Sequence, residues 1–204
     1  MIKKIYIFPL TSSMTLSHLP LPYHIFESRY RKMLEASLTR SVPITVLPPS
    51  LHPFVGAQVF AGVPRLIHQH EDGRSDIVIS GDFRVKVLKV YEEDEYLAAD
   101  VEEIALLRPV TQASHAHREL IREALEFWVD QQKIEREQKR VFVDMLGQDE
   151  CLLLSYGLSL LVKSELEKVV FLKCESWDEW AKLLVKKIGP TELSLGPYLT
   201  KLKF

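Results

Sequence analysis

Cysteine is nearly absent: the chain has two in 204 residues. Cys151 and Cys174 both sit in leucine-rich surroundings, "DECLLLSYG" and "VVFLKCESW". A disulfide-stapled scaffold is therefore excluded, and free buried thiols in a reducing compartment are expected. Glycine is scarce too, at eight residues, and no G-x-x-x-x-G-K-[ST] phosphate loop occurs. Neither sign of charge dominates. The 26 basic and 28 acidic side chains leave a net −2, with no overall excess to attract a phosphate backbone. No window is long and apolar enough for a membrane span, and "MIKKIYIFPL" has too short an apolar run for a signal peptide. These absences point to a cytoplasmic protein. Proline is missing from Val110 to Gly189, the condition a continuous helical region requires.

What is present is an ordinary globular mixture, 47% hydrophobic and 26% charged, in a chain long enough to bury a core without staples. Its period changes near Pro109, which predicts two subdomains, 1–109 and 110–204. The first half reads as strands. "KIYIF" alternates and "VPITVL" is a short buried run. In "VGAQVFAGV", Val55, Ala57, Val59, Ala61 and Val63 fall on one face at period two. Turn signals follow at Asp72-Gly73, at Gly81-Asp82 and at Glu92–Glu95, and successive hairpins predict an antiparallel meander curling into a barrel or sandwich. In "FRVKVLKVY" the apolar residues switch faces between Val87 and Leu88, which predicts a bulge or a strand changing sheets.

The second half reads as five helices. Ile121, Ala124, Leu125 and Trp128 make one stripe, and Ile134, Val141, Phe142 and Met145 another, stopping at Gly147. Asp149 caps the next segment, and Ser164–Glu167 and Ser176–Glu179 have capping-box spacing. Trp177, Trp180, Ala181, Leu184 and Ile188 share the last helix's apolar face. One further helix interrupts the strand-rich half. Within "LPLPYHIFESRYRKMLEASL", Phe26, Tyr30, Met33, Leu34 and Leu38 have helical spacing, and Glu27/Arg31 and Arg31/Glu35 are spaced as surface pairs.

"IFPL", "LPLPYHIFESRYRKMLEASL", "VGAQVFAGVPRLI", "DGRSDIVISGDFRVKVLKV" and "YLAADVEEI" together resemble the N-terminal substrate-binding domain of Lon proteases, and stand-alone members of that family above all. "KSELEKVVFLKCESWDEWAKLLVKKI" is similar to that domain's C-terminal helices. The resemblance spans roughly Ile5 to Ile188. It implies an α+β fold: a PUA-like antiparallel β-barrel with an inserted helix, followed by a helical bundle. It departs at "TSSMTLSHLPLPY", where many members have a Phe-Pro-Gly turn. The resemblance carries recognition of exposed hydrophobic or unfolded polypeptide rather than the ATPase and Ser-Lys protease of full-length Lon. The expected role is a non-catalytic binding module in protein quality control, with a protease or chaperone as companion. The alternative is a PUA-like barrel binding RNA or a nucleotide-derived ligand, although nucleic acid is not the favoured partner. No cofactor is expected, and oligomeric state is left open.

Chemistry-bearing residues are few. His68-x-His70 and His115-x-His117 are the close histidine pairs; i, i+2 in a strand point to one side, whereas the second pair straddles a helix start. A metal site needs three or four ligands, however, and none is expected here. No serine has a nucleophile setting, and Ser164 serves as a helix cap, so no catalytic residue is expected. Binding residues are sought in proline-flanked apolar loops: Met14, Leu16 and Leu19 in "SSMTLSHLP", and Leu51 and Phe54 in "PPSLHPFVG". The competing reading is that these five close the ends of the barrel.

Overall fold

The computed structural model describes residues 3–193, with side chains to residue 188. The chain divides into two units between Leu106 and Leu107. The expected end of the second subdomain at Phe204 lies outside the described residues.

The first unit runs β1 (Lys4–Pro9), β2 (Leu21–Ile25), α1 (Ser28–Arg40), β3 (Ile44–Leu47), a 3-10 turn (Pro49–Leu51), β4 (Gln58–Ala61), β5 (Arg65–Gln69), β6 (Ser75–Ile79), β7 (Phe83–Glu93) and β8 (Tyr96–Glu103). Five strands form one sheet in the order β3-β1-β8-β7-β4, and three form a second, β2-β6-β5. Ile44 and Gly62 exchange hydrogen bonds of 2.8 and 3.0 Å. That link joins β3 to the end of β4, so the larger sheet nearly closes into a barrel.

The barrel is mixed, not wholly antiparallel as the turn signals predict. β1 and β3 pair in parallel, Tyr6 opposite Ile44. Parallel neighbours need a crossover longer than a hairpin, and β2 with α1 supply it. Gly81-Asp82 is not a hairpin either: β6 pairs with β2 and β5, whereas β7 pairs with β4 and β8. The chain changes sheets there, and Gly81 donates its N–H to the Leu16 carbonyl at 3.1 Å. A Cβ on Gly81 would stand 2.7 Å from that oxygen, so glycine is required by close approach rather than by a turn.

Other local signals hold. Register shifts between Val87 and Lys89 as the face switch predicts. Asp94 and Glu95, both at positive φ, make the two-residue β7–β8 turn. The long alternation in "VGAQVFAGV" shrinks to Gln58–Ala61, with Val59, Phe60 and Ala61 all buried and Val55 exposed. In α1, Tyr30, Met33 and Leu34 enter the core formed by Tyr6, Phe8, Ile25 and Ile44. Phe26 and Leu38, predicted on the same face, are exposed.

The second unit comprises a 3-10 turn (Gln112–Ser114), α2 (His115–Asp130), α3 (Arg136–Gln148), α4 (Glu150–Leu161), α5 (Glu165–Phe171) and α6 (Trp177–Leu193). Asp149 accepts from the N–H groups of Cys151 and Leu152, Ser164 from Glu167, and Ser176 from Glu179. Three helix starts thus rest on the predicted caps. The predicted face of α6 is buried from Trp177 to Ile188. The α3 stripe is not: Ile134 and Val141 are exposed, and Leu146 is the buried residue of the helix. Ile134 precedes the helix, so a phase counted from it rotates the apolar face away from its true position.

Beneath these caps lies a polar cluster that apolar patterning does not reveal. Arg118 is buried. It donates to the Thr111 carbonyl at 2.8 Å, to Ser114 Oγ and to Glu150 Oε1 at 3.0 Å. Asp178, in the first turn of α6, accepts from Thr111 N at 3.1 Å, Thr111 Oγ1 and Ser114 Oγ. Burial pushes the Asp178 carboxyl up, but the hydrogen bonds from Ser114 and Thr111 outweigh it and hold the carboxyl below its ordinary value. A depressed folded-state pKa stabilises above the unfolded value and is lost as pH falls through the folded one. Thermal melts should therefore show the helical unit weakening below about pH 4. Asp178→Asn should flatten that part of the profile, and an unchanged slope would exclude the carboxylate as its cause.

Candidate functional site

α1 and the smaller sheet enclose a groove of about 520 Å³ in the first unit, within the range of built ligand sites. Arg31, Leu34, Glu35 and Leu38 line it from α1, Leu66 and Gln69 from β5. Its apolar strip is partly open, with Leu38 39% and Leu66 44% exposed.

The charges on α1 explain how the groove is held. They do not form the helix-surface pairs their spacing predicts. Arg31 reaches across to donate to the Asp72 carbonyl at 3.1 Å, tying α1 to the β5–β6 turn. Lys32 pairs with Glu95 at 3.0 Å and Arg40 with Glu93 at 3.5 Å, tying it to the β7–β8 turn. Glu27 pairs with Arg29 at 2.9 Å. Exposed ion pairs contribute little stability singly, but here they set the distance between helix and turns. Gly73 belongs to the same device: at φ +82 it turns β5 into β6, and a Cβ there would stand 2.9 Å from Arg31 Nη1.

β5 is an edge strand, bonded on one side to β6, and all five of its residues are exposed. Such an edge presents unpaired backbone donors and acceptors. Leu66 and Ile67 are adjacent apolar residues, the register shifts between Leu66 and His68, and both side chains stay exposed. That adjacency is the sequence signal for this surface.

The other face of the small sheet carries a polar cluster. His24 on β2 and His68 on β5 both stand opposite Asp76 on β6 in the strand register. His24 Nδ1 lies 2.6 Å from Asp76 Oδ1, and His70 Nε2 lies 2.8 Å from Asp76 Oδ2. The hydrogen bonds from His24 and His70 hold the Asp76 carboxyl below its ordinary value. It is therefore an ionised acceptor at neutral pH, and both imidazoles donate. The His68 ring stands edge-on to His70 at 4.5 Å.

The five loop residues expected to bind lie elsewhere. Met14, Leu16, Leu19 and Phe54 are buried, and Leu51 is half-buried. The expectation that they form an exposed patch is corrected, and the physical reason is backbone satisfaction. Thr15 N donates to the Val46 carbonyl, Val46 N to Thr15 Oγ1 at 2.8 Å, and Leu16 pairs with Leu19. This loop is stitched to β3 and its side chains turn inward. In the second loop Phe54 turns inward while Val55 stays exposed. Both cysteines are free thiols. Burial pushes Cys151 up to about 11, which leaves little thiolate at neutral pH.

Residues 4–149 match the family model described as the ATP-dependent protease La (LON) substrate-binding domain. Among solved structures, the N-terminal domain of Mycobacterium avium complex Lon protease is similar, with a TM-score of 0.67 and 14% identity over 91% of this chain and 98% of that one. A Lon N-terminal domain protein from Xanthomonas campestris is similar with a TM-score of 0.60 and 14% identity, over 90% of this chain and 97% of that one. At that identity the likeness is one of fold. No curated protein matches. Among the described residues no helix is long and apolar enough to cross a membrane.

Proposed function

The chain belongs to the ATP-dependent protease La (LON) substrate-binding domain family, and from that premise we propose that it is a polypeptide-binding module. Its groove between α1 and β5 takes a short, extended, apolar segment of an unfolded protein, and it holds this segment without cutting it. The observation that carries the reading is the exposed, unpaired edge of β5 beside a half-open apolar strip. A strand added to that edge gains main-chain hydrogen bonds, which any sequence can supply, while alternate side chains meet Leu66, Leu38 and Leu34. The dimensions agree. A five-residue strand spans roughly 17 Å, and the thirteen residues of α1 rise about 20 Å. The site therefore reads some five residues at a time, with apolar spacing as its specificity. A protease or chaperone is the companion such a module would serve.

Anisotropy of a labelled, reduced and carboxymethylated globular protein tests the reading. Leu66→Asp and Leu38→Asp alter exposed residues, so both variants should fold. Each should weaken binding by about tenfold or more. Val141→Asp, a more exposed apolar position on α3, should leave binding unchanged. Absence of binding by the parent protein, or equal loss in all three variants, would remove the groove from consideration.

A further inference from the structure

We propose that His24, His70 and Asp76 form a binding site for a divalent transition metal, with zinc as the probe. Two imidazole nitrogens and one carboxylate oxygen are the donor set such ions prefer, and they converge from β2, β6 and the turn after β5. All three ligand atoms lie within 4.8 Å of one another. Ligand atoms around a four-coordinate zinc stand about 3.3 Å apart, so the widest pair has to close by at most roughly 1.5 Å. Ring rotation supplies a shift of that size, because all three side chains are at least partly open to solvent.

The carboxylate already organises the site. Asp76 bridges the two imidazoles through both oxygens, and the metal takes the place of the two shared protons. Each neutral imidazole then carries its single proton on its far nitrogen, so no net proton is required. The cationic neighbour Arg74 is drawn aside by Asp72 at 2.7 Å. The fourth position belongs to water or to His68, whose ring already touches His70. His70 and Asp76 lie six residues apart across the β5–β6 turn, but His24 is far from both in sequence and joins them only through the β2–β6 register, which is why the His68-x-His70 pair alone does not reveal the site.

The site also bears on the groove. Gln69 and Ser75 line the groove and immediately precede His70 and Asp76, so a bound ion fixes the strand edge that a peptide would join. That consequence rests on the reading of the groove given above, whereas the metal site does not.

The test is a zinc titration of metal-free, tag-free protein against a chromophoric competitor. One equivalent should bind with a dissociation constant below about 100 µM. His24→Ala, His70→Ala and Asp76→Asn should each weaken it by about tenfold or more. His115→Ala should not, which separates the site from adventitious surface histidine. Far-UV circular dichroism checks that each variant is folded. Failure to bind one saturable equivalent, or affinity unchanged in all three ligand variants, overturns the proposal. Polypeptide binding in metal-free protein is measured separately, so loss of the metal site leaves the groove reading standing and the converse holds too.

Discussion

Replacing Gly62 with alanine is expected to destabilise the β-rich unit by about 3 kcal/mol or more, a drop in Tm of roughly 10 °C. An added Cβ would stand 1.7 Å from the Ser80 carbonyl oxygen and 2.9 Å from its carbon. Both are backbone atoms and no rotamer moves them away. Gly62 is also the residue whose two hydrogen bonds to Ile44 join the outer strands of the barrel. Ser80 starts the crossing from one sheet to the other, and Asp82 N is pinned to the Ala61 carbonyl at 3.0 Å. Relief of the clash therefore either breaks the barrel's closing link or shifts the crossing. Gly56→Ala is the control. Gly56 has a positive φ, which Gly62 does not, but no atom lies within 4 Å of its Cβ position, so its cost is left-handed strain of about 1–2 kcal/mol. Urea melts of the two variants should separate clearly. Equal midpoints would mean that steric closure at Gly62 is not what holds the barrel.

The contrast between these glycines marks the boundary of what the sequence discloses. Features set by neighbours along the chain are legible. Ile44–Leu47 reads as a buried strand, Val87–Lys89 as a bulge, and Asp149, Ser164 and Ser176 as caps, because each effect acts within a few residues. Features set by distant partners leave no local mark. The parallel pairing of β1 with β3 and the change of sheet at Gly81 both depend on residues far away in sequence. The charges of α1 show the same limit. Their spacing suits pairs along the helix, yet Arg31 and Lys32 find better partners on two turns of the unit. Loop residues mislead for a related reason. Met14, Leu16 and Leu19 look exposed beside prolines until Thr15 bonds to β3 and Gly81 to the Leu16 carbonyl, which fixes the loop and lets them turn inward.

The candidate surfaces follow the same rule. Leu66-Ile67 is a local signal, since two adjacent apolar residues interrupt the alternation of a half-buried strand, and it lies where the register of β5 shifts, at the exposed edge of the groove. His24, His70 and Asp76 give no such signal, and only the register of β2 and β6 places His24 opposite Asp76. The small sheet thus presents two different surfaces: an apolar edge suited to backbone pairing, and a polar face suited to holding that edge in place. Both proposed roles draw on three short strands, with α1 as the second wall of the groove.

The largest single-residue loss in the helical unit is expected at Trp180. Its side chain is fully buried, with the Phe171 ring 5.4 Å and the Trp177 ring 5.2 Å from it, centroid to centroid. On the same face of α6, Leu184 packs so tightly over Gly157 of α4 that a Cβ there would stand 2.6 Å from Leu184 Cδ2. α6 is therefore fixed at one point by close backbone approach and at the other by the aromatic cluster. Trp180→Ala removes the larger support and leaves a void that helices locked at Gly157 cannot collapse to fill. The cost should be about 3–5 kcal/mol. Trp180→Phe keeps an aromatic ring within reach of both neighbours and should lose less than half of that. Helix content followed at 222 nm against temperature reports both, whereas fluorescence does not, because the substitution deletes a reporter. None of the groove-lining residues belongs to this unit, so below the variant's transition the binding of unfolded polypeptide should persist. If Trp180→Ala melted within about 0.5 kcal/mol of the parent, the aromatic cluster would not be what anchors α6.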